Sequence, residues 1–278
     1  MDYIELDITI SPYAPWNEIL ISELAEIGFE SFTENDGKLQ AYIPHSSFNE
    51  IALNSTNIGK PQDGVSISYN TNLIKSQNWN SVWEADFEPV IIEDKAIIKA
   101  PFHTTENVYE YEFIIQPQMS FGTGHHQTTY LISKLLLDKP LQNKSVLDVG
   151  TGTGILAIIA KKLGATQVIG TEIDAQSLEN AKENSERNNL SSITFYLGDI
   201  DCVKEYDFDY IIANINKNVL KTHMETYAKL SKKGTQLILS GFYETDTEEL
   251  INFAKKHNFM HHSTHSKESW AVLEFIYN

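Results

Sequence analysis

Residues 3–10 alternate without a break, with Ile4, Leu6, Ile8 and Ile10 set against Glu5, Asp7 and Thr9. A period of two predicts a strand with one buried face. Beyond Pro15, the apolar positions Trp16, Ile19, Leu20, Leu24 and Ile27 recur at helical spacing and stop at Gly28, which predicts an amphipathic helix. Residues 31–44 read as two strands about the turn pair Asp36-Gly37. A short helix over 46–53 and a strand over 65–74 complete the set. This order predicts a small α+β, ferredoxin-like domain of the split βαβ kind over residues 1–74.

The pattern then breaks. Across 76–89, Trp79, Trp83 and Phe87 recur every four residues ahead of Pro89, which fits a short helical connector that must end before the proline. We assign 75–88 as a linker. Strands are expected at 90–100 and 108–115, and Thr128-Thr129 is placed to begin a helix over 130–137. From Ser145 onward, strands (146–149, 168–171, 193–197, 210–213, 237–241, 271–276) alternate with helices (155–163, 175–188, 219–230, 247–257). Such alternation predicts an α/β fold, a Rossmann-like, doubly wound and mostly parallel sheet over 89–278, with ligands at the carboxyl ends of its strands.

Composition changes this picture in two respects. The 278 residues are 41% hydrophobic and include no run long enough to span a bilayer, nor a signal-peptide pattern. A cytoplasmic protein without a membrane partner is the expectation. The net charge is −17, so no basic face is available for DNA, whereas a basic macromolecule would be attracted at long range. Residues 1–60 alone carry ten carboxylates against Lys38 and Lys60 and show no catalytic constellation. That composition suits a substrate-recognition module.

The chemistry gathers at strand ends. Asp148, Gly150, Gly152 and Gly154 follow the first strand of the alternating region, Glu172 the second, Asp199 the third and Asn214 the fourth. In a doubly wound sheet all should face one crevice. The glycines permit a close main-chain approach, and backbone N–H groups of such a loop are expected to meet a ligand's polar groups. Glu172, 22 residues beyond Gly150, is placed to accept ribose hydroxyls, and Asp199 to accept an exocyclic amine of adenine. The third glycine position of a nicotinamide-binding turn is occupied by Ile155, and there is no G-K-[ST] for a P-loop. His125 and His126 lack a third ligand at a recognisable spacing, so no metal is expected. The same holds for His261, His262 and His265, which a solvated edge strand explains equally well.

The loop G-x-G-x-G resembles the first motif of S-adenosylmethionine-dependent methyltransferases. More closely, F-G-T-G-H-H-x-T-T (residues 121–129), L-D-V-G-T-G-T-G-I-L-A-I (147–158), E-I-D-A (172–175), A-N-I (213–215) and L-S-G (239–241) resemble the PrmA family. That family methylates the eleventh large-subunit ribosomal protein, at the stalk base. The resemblance implies a methyltransferase domain over 89–278, S-adenosylmethionine as cofactor, and methylation of lysine side chains and/or the N-terminal amine of that protein. It carries cofactor contacts onto Thr129, Gly150, Glu172 and Asn214, with Asn214 also aligning the reacting groups. Phe121 and Trp270 are expected as aromatic neighbours of the methylated ammonium. Glu172 departs from the family's usual Asp, and Gln116 and Gln118 replace its usual Asp and Gly. Methylation of another protein, RNA or a small amine keeps the same fold, as does a non-catalytic adenosine-binding module that docks a basic protein.

Overall fold

The structure, a computed structural model, describes residues 2–35, 37–75, 87–118, 120–205 and 207–278. The expected helical connector with Trp79 and Trp83 lies outside the described residues. The chain divides into two compact units, residues 1–86 and 87–278.

In the first unit, β1 (Tyr3–Ser11), β2 (Ser31–Asn35), β3 (Lys38–Pro44) and β4 (Ser66–Ile74) form an antiparallel sheet in the order β2-β3-β1-β4. Helix α1 (Trp16–Glu26) contributes Leu20 and Leu24 to a core shared with Ile4, Leu6, Ile8, Leu39 and Ile43. Since β3 lies between β1 and β2, the unit is the ferredoxin-like arrangement predicted from the alternation. The helix expected at 46–53 is a 3₁₀ turn at His45–Ser47 followed by α2 (Glu50–Leu53), which Asn49 caps by accepting from the backbone of Ile51 and Ala52. On the polar face, Glu5 accepts from Gln40, Tyr42 and Asn72 at 3.1, 3.0 and 3.1 Å. The charge on that face is therefore fixed in place by neighbouring strands.

The second unit opens with a three-stranded sheet. The single strand expected at 90–100 is instead a hairpin, β5 (Val90–Ile92) and β6 (Ala96–Lys99), turned by Glu93 and Asp94 at φ of 45° and 55°. Strand β7 (Tyr111–Ile114) pairs parallel to β6.

The main sheet has β8 (Ser145–Val149), β9 (Gln167–Glu172), β10 (Thr194–Leu197), β11 (Phe208–Asn214), β12 (Ser231–Tyr243), β13 (Phe259–Lys267) and β14 (Trp270–Tyr277), in the order β10-β9-β8-β11-β12-β14-β13. The first five strands run parallel, and β14 is antiparallel to both its neighbours. Along β8, Val146 points to a layer with α3 (Gln127–Leu137) and α4 (Ile155–Lys162). Helix α5 (Ala175–Arg187) follows β9. Leu147 and Val149 point to the other layer, with α6 (Lys217–Leu230) and α7 (Thr247–Lys255). A sheet covered on both faces needs apolar residues at consecutive positions, which is why these strands read as runs rather than alternations. Sequence order reverses between β8 and β11, which opens a crevice at their carboxyl ends. No helix among the described residues is long and apolar enough to cross a membrane.

Candidate active site

Strand β8 runs directly into the glycine loop. Gly152 stands at φ 55°, and a Cβ there would lie 2.3 Å from the Phe121 carbonyl oxygen. Only glycine tolerates both conditions. The contact joins two distant motifs into one structure: Thr153 N donates to Phe121 O at 2.9 Å, and the Thr153 hydroxyl donates to Gly122 O at 2.6 Å.

The loop's N–H groups do not behave as expected from the sequence. Gly150 N and Thr151 N both donate to Thr171 O at 2.9 Å, Gly152 N to Glu172 Oε2 at 3.0 Å, and Gly154 N to Thr151 O at 2.9 Å. With Thr153 N also engaged, every N–H from 150 to 154 already has a partner within the chain. Here the glycines provide close approach rather than a row of donors, which disfavours a phosphate-bearing ligand and leaves room for a nucleoside without phosphates.

A cavity of about 390 Å³ opens over this loop, a volume in the range of small-molecule sites. Gly150, Gly152, Phe121, Glu172, Asp199 and Asn214 all line it. Glu172 Oε1 accepts from the backbone of Ile173 and Asp174 at 2.9 and 3.1 Å. With Gly152 N on its other oxygen, the carboxylate is held by three N–H donors at the mouth of β9. It is therefore oriented before any hydroxyl arrives. Asn214, at the end of β11, donates from Nδ2 to the Thr129 hydroxyl at 3.3 Å, and its Oδ1 is buried without a partner. An orphaned buried acceptor is costly unless a ligand fills it. Thr129 is fully buried and meets Asn214, Gly150 and Phe121 around a small void beneath the loop.

Asp148 lies elsewhere. It is 1% exposed, accepts from the Thr151 hydroxyl at 2.6 Å, and is not among the residues lining the cavity. Burial pushes its carboxyl up to about 6, against the opposing effect of the Thr151 hydroxyl. The expectation that all strand-end residues face one crevice thus holds for Glu172, Asp199 and Asn214, while Asp148 sits below as part of the loop's footing.

A second cavity, of about 280 Å³, shares Phe121, Asn214 and Ile215 with the first and adds His126, Thr128, Gly241 and Trp270. Its wall is aromatic: His126 lies 5.1 Å from Phe121 and 4.6 Å from Trp270, which is 4.3 Å from Tyr243, between ring centroids. Helix α3 starts three residues earlier than expected, at Gln127, because His126 is its cap. The His126 Nδ1 accepts from Thr128 N at 3.3 Å and from the Thr128 hydroxyl at 2.8 Å. Burial lowers the His126 pKa, which favours the neutral ring.

His125, His261 and His265 are engaged within the chain away from both cavities. His125 donates from Nε2 to Glu88 O at 2.8 Å and accepts the Thr123 hydroxyl at 3.1 Å, which ties the Phe121 loop to the start of the unit. On edge strand β13, His261 bonds Thr264 and His265 bonds Glu274. Among the described residues, no group of three His, Cys, Asp or Glu side chains is arranged to hold a metal ion.

Sequence reasoning missed His223, which lines the first cavity from α6 and reaches Asp199. It also missed the apolar wall of Ile173, Ile215 and Val219. Nothing in a helical pattern distinguishes a histidine that faces a cavity from one on an ordinary helix face.

These residues fit S-adenosylmethionine. A pre-oriented carboxylate matches ribose hydroxyls, apolar walls match a flat base, and the unfilled Asn214 acceptor stands where two cavities meet.

Comparison with known proteins agrees. The PrmA family model, described as ribosomal protein L11 methyltransferase, matches residues 17–277. The ribosomal protein L11 methyltransferase of Phocaeicola vulgatus is 41% identical over 281 residues, covering 99% of each chain. That of Porphyromonas gingivalis is 43% identical over 262 residues, covering 93% of this chain and 90% of its own. The crystal structure of ribosomal protein L11 methylase from Lactobacillus delbrueckii subsp. bulgaricus superposes with a TM-score of 0.64 at 25% identity, over 69% of this chain and 100% of that one. The chain belongs to the PrmA family of ribosomal protein L11 methyltransferases.

Proposed function

We propose that this chain uses S-adenosylmethionine to methylate ribosomal protein L11, and that the accepting atoms are amine nitrogens, on lysine side chains and/or the N-terminus. The observation that carries the chemistry is Asn214. It stands on the wall common to both cavities and presents a buried acceptor oxygen with no partner.

When bound, the cofactor supplies an electrophilic methyl group on a sulfonium centre. In this reading Gly150 and Gly152 form the floor beneath it, Glu172 accepts the ribose hydroxyls, Asp199 accepts the adenine amine, and Thr129 steadies Asn214. The acceptor amine enters through the aromatic second cavity. Leaving water lowers an amine's pKa and favours the neutral nucleophile. While the amine still carries a hydrogen, Asn214 Oδ1 accepts its N–H and thereby aims the nitrogen lone pair across the shared wall. Phe121 and Trp270 suit a product whose positive charge grows more diffuse with each methyl group, since aromatic faces attract quaternary ammonium groups. The second cavity has no carboxylate in its lining, and the His126 Nδ1 is already occupied. Catalysis therefore rests on positioning rather than on a strong base.

Residues 1–74 act as the substrate-recognition domain and 75–88 as the linker to the methyltransferase domain at 89–278. The supporting observation is charge: ten carboxylates to two lysines in the first sixty residues, facing a basic ribosomal protein. A ribosomal substrate also supports a cytoplasmic location for the working enzyme.

Asn214→Ala tests the assignment. Turnover should fall by roughly a hundredfold or more, the scale of lost alignment, with cofactor affinity changed by less than about tenfold. Turnover within severalfold of wild type would remove Asn214 from the reaction.

A further inference from the structure

One buried polar group at the cofactor cavity is not used by the chemistry above. His223 projects from the second turn of α6 into the cavity wall and is 6% exposed. Its Nε2 lies 3.0 Å from Asp199 Oδ2, and its Nδ1 is buried without a partner. The Nε2–H tautomer gives the carboxylate a donor and leaves Nδ1 as an acceptor facing nothing. An imidazole placed this way contributes little as packing, because a leucine of similar volume would avoid the unpartnered nitrogen.

The geometry of Asp199 shows what the contact achieves. Asp199 follows Gly198 at the end of β10, and its Oδ1 is fixed by Ile200 N at 2.7 Å. Its side chain remains half exposed, at 52%, toward the cavity. One fixed oxygen leaves the carboxylate plane free to turn about its own axis. A second bond, from the buried His223, stops that rotation. Tyr227, fully buried one turn further along α6, meets the His223 ring edge-on at 5.9 Å and 85° and fixes the imidazole in turn. The chain Tyr227–His223–Asp199 therefore runs from the core to the rim of the cavity.

We propose that His223 is a positioning residue that sets the base specificity of the cofactor site. By holding the Asp199 carboxylate in one plane, it presents an acceptor to an exocyclic amine and rejects a base with a carbonyl oxygen at the same place. The inference rests on the reading that Asp199 meets the adenine amine.

The test uses the full-length protein and two probes, S-adenosylhomocysteine and S-inosylhomocysteine; in the second a carbonyl oxygen replaces the exocyclic amine and the neighbouring ring nitrogen carries a proton. Calorimetry gives a Kd for each. Wild type should prefer the amine form by at least about tenfold, because the wrong base sets a carbonyl oxygen against the Asp199 carboxylate. In His223→Leu the preference should shrink to within about threefold through weaker binding of the amine form, with the melting temperature maintained. His223→Gln, which can still donate to Asp199, should recover part of the preference. Equal weakening of both probes in His223→Leu, or an unchanged ratio, would overturn the role of His223. Absence of any preference in wild type would instead overturn the reading of Asp199.

Discussion

The proposed ribose contact gives the sharpest single perturbation, because Glu172 is held from three directions. Gly152 N donates to Oε2, while Ile173 N and Asp174 N share Oε1. Glu172→Gln preserves volume but turns one oxygen into an NH₂ group. Whichever way the amide is flipped, it must face at least one of those backbone donors. Either the glycine loop loses its anchor, or the turn after β9 loses both bonds at once. A hydrogen bond to a charged acceptor contributes about 1.5–3 kcal/mol, so the loss of one such bond to ribose predicts roughly a 10- to 150-fold weaker Kd. Glu172→Ala should lie at the upper end of that range, because the loop loses its anchor as well. Titration calorimetry with S-adenosylhomocysteine measures the change, and a thermal melt checks that the variants remain folded. Unchanged affinity in a folded Glu172→Ala protein would refute the reasoning.

Three further outcomes follow from the geometry. His126→Asn should retain turnover within about tenfold, since the imidazole caps α3 and packs between aromatic rings; a loss of a thousandfold, within the general-base range, would contradict this in a steady-state assay. Asp148→Asn should stabilise the cofactor-free protein near pH 7. The buried carboxyl ionises at about 6 when folded against 3.8 otherwise, so its stability contribution is greatest below pH 4 and declines as pH rises toward 6. The variant's advantage should reach at most about 3 kcal/mol above pH 6 and vanish near pH 4, and denaturant melts at both pH values that give a constant difference would exclude it. Removing residues 1–74 should leave cofactor binding intact, because every proposed contact comes after residue 120, while methylation of L11 collapses through lost affinity; full activity of the truncated enzyme would end the recognition role.

Much of this architecture was legible because its causes are local. The β8 loop required glycine wherever φ is positive and the Phe121 carbonyl presses on Gly152, and both conditions leave a mark in the sequence. The parallel strands showed as apolar runs because both faces of the sheet are covered. Other features had no local cause. The β5–β6 hairpin turns at Glu93-Asp94 without a glycine or proline to mark it, between the apolar runs 90–92 and 96–98, so it read as one strand. Strand β12 begins in the polar stretch Ser231-Lys232-Lys233-Gly234, where tertiary pairing with β11 overrides composition. The pairing of His223 with Asp199, 24 residues apart, depends on how α6 packs against the short turn Ile200–Cys202 that follows β10. The same is true of the loop's N–H groups, whose partners Thr171 and Phe121 come from other segments.

The most direct test of the central claim is mass spectrometry of purified ribosomal protein L11 after incubation with this enzyme and S-adenosylmethionine. The account predicts mass gains in whole methyl increments on L11, located by fragmentation to lysine side chains or the N-terminal amine and stable to mild alkali. No gain on L11, or gains on carboxylates that alkali removes, would contradict it.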